Sequence, residues 1–181
     1  MNKHSWISAR RIMTFLLLAA MVYPLAGCGT TMLTPGYTGS KIKPGYQIAI
    51  IDGSAQTGLY QTDDLSVKYQ YVRKGDDLKI AGTVQFGSGT QFNFNYVDYF
   101  NLSLLVGDSQ GVIVANDGLV SASWVNLTGP NNEVQFTKDL KIPPDAAVLA
   151  FTYTGQASEG GSGGGENSGG NTQFWEYPII R

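Results

Sequence analysis

From Gln47 onward apolar and polar residues alternate with a period of two, the pattern of strands that bury one face. The three- and four-residue spacing of an amphipathic helix is absent. The clearest runs are Leu65, Val67, Tyr69 and Tyr71, then Leu78, Ile80, Gly82, Val84 and Phe86, then Phe100, Leu102, Leu104 and Val106. Shorter strands are predicted over residues 47–51, 91–96, 112–115, 119–125, 133–136, 148–154 and 173–179. Turn chemistry separates them: Arg73-Lys74-Gly75-Asp76, Gly107 to Gly111, Asn116-Asp117-Gly118, Gly129-Pro130-Asn131-Asn132 and Pro143-Pro144-Asp145.

Eight to ten strands at this spacing predict an all-β fold, an antiparallel sandwich of immunoglobulin-like or transthyretin-like type. A small closed barrel is the alternative. The sandwich is expected to span residues 47–181. Within it, residues 155–171 are rich in glycine and poor in apolar side chains, so a disordered loop between two strands is predicted there. A phosphate cradle would need a Lys-Ser/Thr pair and a following helix, and neither is present. The last strand carries apolar bulk on both faces, with Phe174 alternating against Trp175, Tyr177 and Ile179, and is expected to pair into the sheet.

Ahead of this domain the pattern changes. Lys3, Arg10 and Arg11 lead into an apolar run from Ile12 to Tyr23 interrupted only by Thr14, the charged and greasy regions of an export signal. Even extended to Ala26 the run is about 15 residues and contains Pro24, short of the roughly 20 that a membrane span needs. Leu25-Ala26-Gly27-Cys28 follows directly and resembles the lipobox of bacterial lipoproteins, leucine and two small residues before cysteine. The resemblance implies cleavage between Gly27 and Cys28, with residues 1–27 as signal peptide, and a diacylglyceryl group on the Cys28 thiol. The membrane is then a partner through covalent lipid, which anchors the chain without spanning because each buried methylene contributes ~0.8 kcal/mol. Gly29 and Thr30, in place of the aspartate associated with inner-membrane retention, favour the outer membrane if the cell has one. The polar, turn-rich stretch through Tyr46 reads as the lipidated N-terminus and a flexible tether, with a reach of roughly 25 Å.

Charge and composition narrow the chemistry. Removing Lys3, Arg10 and Arg11 from the 12 Lys and Arg leaves nine against 14 Asp and Glu, a net charge of −5. The remaining cations are scattered, so nucleic acid is not an expected partner. Cys28 is the only cysteine and His4 the only histidine. The processed domain therefore lacks the residues for disulfides, cysteine or histidine zinc sites, cysteine nucleophiles and a Ser-His-Asp triad. No cofactor is implied, and a metal would have only oxygen ligands.

Two constellations remain. Acids occur at Asp63-Asp64, Asp76-Asp77, Asp108, Asp117 and Asp145, but none of them is spaced like a calcium loop, and aspartate is a common turn residue. Among the aromatics, neighbours that fall on opposite faces of a strand expose one member, which makes Tyr96, Tyr99, Trp175 and Tyr177 a candidate binding surface. Asn101-Leu102-Ser103 and Asn126-Leu127-Thr128 match the glycosylation sequon, which a bacterial lipoprotein seldom meets in use. The functional expectation is a non-enzymatic, envelope-anchored module that binds an envelope protein or a glycan, or serves structurally. The alternative is a carboxylate-based enzyme acting on glycans.

Overall fold

The computed structural model describes Tyr37, residues 39–160 and residues 170–180. They form an antiparallel β-sandwich, not a closed barrel. In chain order the strands are β1 (Lys41–Ile42), β2 (Ile48–Ala49), β3 (Gln56–Gln61), β4 (Leu65–Lys74) and β5 (Asp77–Phe86). A short helix α1 (Ser88–Asn93) leads to β6 (Tyr96–Gly107), β7 (Ile113–Asn126), β8 (Glu133–Lys141), β9 (Val148–Ser158), β10 (Asn171–Glu176) and β11 (Ile179–Ile180). The first sheet has the order β3-β4-β5-β8 and the second β10-β9-β6-β7, with β2 also pairing on β9; β1 and β11 pair separately.

The long alternating runs became the central strands because each buries one side. Val67, Tyr71, Ile80 and Val84 from the first sheet meet Phe100, Leu102, Leu104, Phe151 and Tyr153 from the second. Each fully buried side chain of this kind is worth roughly 1.5–3 kcal/mol. Arg73-Lys74-Gly75-Asp76 makes the turn between β4 and β5, with Gly75 in the left-handed region at φ 60° and Lys74 paired with Asp77. Arg73 is held in place by carbonyls: Nη1 donates to Ala146 at 2.6 Å, Nη2 to Pro144 at 3.1 Å and Nε to Gly75 at 2.8 Å. It thereby ties the loop before β9 to the first sheet.

Several expectations change. The stretch read as tether through residue 46 joins the domain from Ser40 onward. Ile42 is buried, its N–H bonds the Gly111 carbonyl at 2.8 Å, and that of Lys43 bonds Pro178 at 2.8 Å. Residues 91–96, read as a strand from Phe92, Phe94 and Tyr96, instead begin inside α1, which turns Phe92 out to solvent. Asn116-Asp117-Gly118 is no turn. It lies within a continuous β7, where the register to β6 shifts after Leu102 as a bulge. The glycine-rich loop is shorter than 155–171, because Gly155 to Ser158 extend β9 and pair with Phe174 back to Asn171. Residues 161–169, where disorder was expected, and Leu25, Ala26, Gly27 and Cys28 lie outside the described residues. The final strand does pair into the fold, β10 against β9 and β11 against β1.

Candidate functional site

The outer face of the second sheet is set by one cross-strand fit. Gly155 of β9 lies opposite Phe174 of β10, and a Cβ added there would come 2.3 Å from the Phe174 ring. Lacking a side chain, Gly155 lets that ring lie across it into the core, where it stacks with Phe100 at 6.3 Å and meets Phe86 at 6.1 Å and Tyr153 at 6.2 Å. With Phe174 inward, the pleat turns Gln173 and Trp175 outward.

Trp175 is 58% exposed, Tyr177 38% and Tyr99 37%. Together with Gln173, Thr154 and Gly155 they line a shallow groove of about 390 Å³. Tyr177 also borders a smaller depression of about 160 Å³ with Tyr37, Asn101, Ser103 and Thr152, and the Tyr37 and Tyr177 rings lie 6.2 Å apart. Burial raises the Tyr37 hydroxyl above its ordinary pKa, with the neighbouring Tyr177 adding to the effect. The pairing register continues the face: Trp175, Thr154, Asn101 and Ser121 form one row, and Gln173, Gln156, Tyr99 and Ser123 the next. Strands β6, β7, β9 and β10 contain no Lys or Arg, whereas β4, β5 and β8 of the first sheet carry the exposed pairs Lys79–Asp139 and Lys141–Asp77 together with Lys68, Arg73, Lys74 and Lys138.

Three of the four aromatics expected at a binding surface therefore meet. The fourth, Tyr96, does not line the groove. It is half-buried at the far end of the same face, its ring against the backbone of Gly160 and 6.5 Å from Trp124. Trp124 is 69% exposed and has φ 56°, a conformation that costs a bulky residue roughly 1–3 kcal/mol. Asp98, a bulged residue between Tyr96 and Tyr99, accepts hydrogen bonds from Ser158 Oγ at 2.6 Å and Gln156 Nε2 at 3.2 Å, which uses both carboxylate oxygens.

The other acids divide by role. Asp108 Oδ1 accepts the N–H groups of Gln110 at 2.8 Å and Val112 at 2.9 Å, the work of a turn residue. Asp64 accepts from the Tyr153 hydroxyl at 2.9 Å, part of a network in which Thr62 Oγ1 lies 2.7 Å from the same hydroxyl. Burial lifts the Tyr153 pKa well above the ordinary tyrosine value. Asp117 is raised above the usual carboxylate range by burial, against a smaller opposing pull from Lys138. Among the described residues no three His, Cys, Asp or Glu side chains gather to hold a metal. Comparison with known proteins matches the chain to no family model, no curated protein and no solved structure.

A second concavity was not anticipated from sequence. It is a cleft of about 670 Å³ where the 3₁₀ turn Pro44–Tyr46, β3, the residues after it and β10 converge, lined by Tyr46, Tyr60, Asp63, Tyr69 and Glu176 among others. Tyr69 is placed by Gly58, over which its ring lies. The Tyr46 hydroxyl donates to Glu176 Oε2 at a long 3.4 Å. Glu176 is the first cause of a raised Tyr46 pKa, ahead of burial, with a smaller contribution from Asp63. Both carboxylates thus act on one aromatic rim.

Proposed function

We propose that the chain is an envelope-anchored lipoprotein, held at the outer membrane by acylated Cys28, whose sandwich is a non-enzymatic module that binds a neutral glycan across the outer face of the second sheet. The observation that carries the binding reading is the segregation of cations, with Asp98, the acid on this face, already hydrogen-bonded by Ser158 and Gln156. Four adjacent strands without Lys or Arg present Tyr99, Trp175 and Tyr177 among amides and hydroxyls. Sugar rings offer apolar C–H faces that lie against aromatic rings, and hydroxyls that pair with Asn, Gln, Ser and Thr. A face of fixed charges would instead have to be desolvated at a cost that a neutral sugar cannot offset. The anchoring reading is supported by Leu25-Ala26-Gly27-Cys28 behind its short apolar run.

Electrophoresis through gels containing neutral polysaccharides tests the binding reading. Retardation of the wild-type chain, lost in Trp175→Ala, is expected. If no neutral polysaccharide retards the chain and an envelope protein crosslinks through position 175 instead, the face is a protein-docking surface.

The enzyme reading has one observation in its favour, Asp63 and Glu176 in a common cleft. Two carboxyl groups are the minimum equipment for glycoside hydrolysis. Release of new reducing ends that disappears in Glu176→Gln would establish it.

A further inference from the structure

The cleft beside β10 holds a group whose polarity no described residue satisfies. Tyr60 is 8% exposed and its hydroxyl, cut off from bulk water, has no hydrogen-bond partner among the described residues. A buried hydroxyl left unpaired costs roughly 1–3 kcal/mol, which a structural tyrosine avoids by being phenylalanine. Tyr60 lines the cleft, its ring centroid 6.2 Å from that of Tyr46. Its hydroxyl is raised far above the ordinary tyrosine value by burial first, then by Glu176 and Tyr46.

The cleft has a definite sign. Asp63 and Glu176 line it, and neither has a Lys or Arg within ion-pair distance among the described residues, whose salt bridges are Lys79–Asp139 and Lys141–Asp77. Its walls are the rings of Tyr46, Tyr60 and Tyr69. One of them already faces an ammonium: Lys43 Nζ stands 5.7 Å from the Tyr46 ring centroid. Two carboxylates and a spare phenolic oxygen are hydrogen-bond acceptors, and aromatic faces attract cations.

We propose that this cleft is a binding site for a protonated primary amine, a second site that does not depend on the glycan reading of the sheet face. A primary ammonium brings N–H donors to Glu176 and Asp63 while its charge sits against the tyrosine rings, and a small outward shift of the cleft rim would admit a third to the Tyr60 oxygen, which is closed to solvent in this structure. A quaternary ammonium has no N–H to give, and a neutral polyol leaves the carboxylates without a counter-charge.

Calorimetric titration of the full chain tests this. The probes are 1,5-diaminopentane and glucosamine as free and sugar-borne amines, with 1,5-pentanediol, glucose and tetramethylammonium as controls. Saturable binding of one or both amines is expected, with the stronger of the two identifying the source, no comparable binding of the controls, and weakening as salt rises. Glu176→Gln should weaken amine binding by roughly tenfold or more, the worth of a hydrogen bond between charged groups. Tyr60→Phe removes only an unpaired hydroxyl, so it should melt no lower than wild type while binding the amine less tightly. Equal binding of amine and neutral control, tetramethylammonium binding as well as the amines, or amine affinity unchanged in both variants would each overturn the proposal. So would Glu176-dependent cleavage of a polysaccharide without amine binding.

Discussion

Phe174 and Trp175 are adjacent in β10 yet should fail in opposite ways. Phe174 is 5% exposed and packed against Phe86, Phe100 and Tyr153, so Phe174→Ala removes a ring from the middle of an aromatic cluster. Loss of transfer energy plus the cavity left behind amounts to about 3–5 kcal/mol for such a truncation. Set against a total of roughly 5–15 kcal/mol for a domain, the variant should fold but melt about 10–15 °C lower. Trp175, 58% exposed, has little to lose: Trp175→Ala should stay within about 0.5 kcal/mol of wild type. Thermal melts followed by circular dichroism, run beside polysaccharide binding, separate the two. Phe174→Ala should lower the melting temperature and keep binding while folded; Trp175→Ala should do the reverse. If Phe174→Ala left the melting temperature unchanged, β10 would not be an integral strand, and if the two variants destabilised equally, the assignment of its faces would be wrong.

Three further outcomes follow from named contacts. Gly155→Ala places a methyl 2.3 Å from the Phe174 ring and should destabilise by about 1–3 kcal/mol in a denaturant titration, with Phe174→Leu in the same chain recovering part of the loss. Asp117 has a raised folded-state pKa, so the folded chain holds its proton more tightly than the unfolded chain, and stability falls as pH rises through that pKa. Asp117→Asn should therefore raise the melting temperature at pH 7 and make little difference at a pH where the carboxyl is protonated in both states; a larger gain in acid would contradict the reasoning. Cys28→Ser should abolish acylation and leave the precursor uncut, read by intact mass of the membrane fraction, and a free thiol on wild-type Cys28 would contradict the anchor.

How much of this was legible depended on whether one face of a segment was buried and filled with side chains. β4, β5 and β6 could be read because Leu65, Val67 and Tyr71, or Phe100, Leu102 and Leu104, stand on a single inward side. β3 was missed for the converse reason. Its inward row includes Gly58, which leaves room for the Tyr69 ring, while Leu59 points out at 56% exposure, so the alternation is weak and inverted. Asn116-Asp117-Gly118 shows that residues common in turns also stand beside bulges, which break the register of a strand without reversing the chain. Ile42, a single buried residue between two lysines, carries too short a pattern to distinguish a strand from a tether.

The site was half legible. Alternation in the last strand set Trp175 and Tyr177 on the face opposite Phe174, and the register brings Tyr99 to them, but Tyr96, which the Asp98 bulge carries onto the same face as Tyr99, pairs with Ser158 at its far end, beyond the groove. The cleft was out of reach because Tyr46, Tyr60, Asp63, Tyr69 and Glu176 come from segments up to 130 residues apart, brought together by the pairing of β2 and β10 with β9 and by the packing of Tyr60 and Tyr69 on Phe151 of β9. In sequence each tyrosine resembles a core residue.

The most direct test of the central claim is a backbone amide chemical-shift map of the ¹⁵N-labelled chain titrated with a neutral oligosaccharide that its polysaccharide assay selects. The account predicts saturable shifts confined to β6, β9 and β10 around Tyr99, Thr154, Gln156, Gln173 and Trp175, with β4, β5 and β8 unmoved. Shifts centred on the charged face of the first sheet, or a saturable response that survives unchanged in Trp175→Ala, would contradict it.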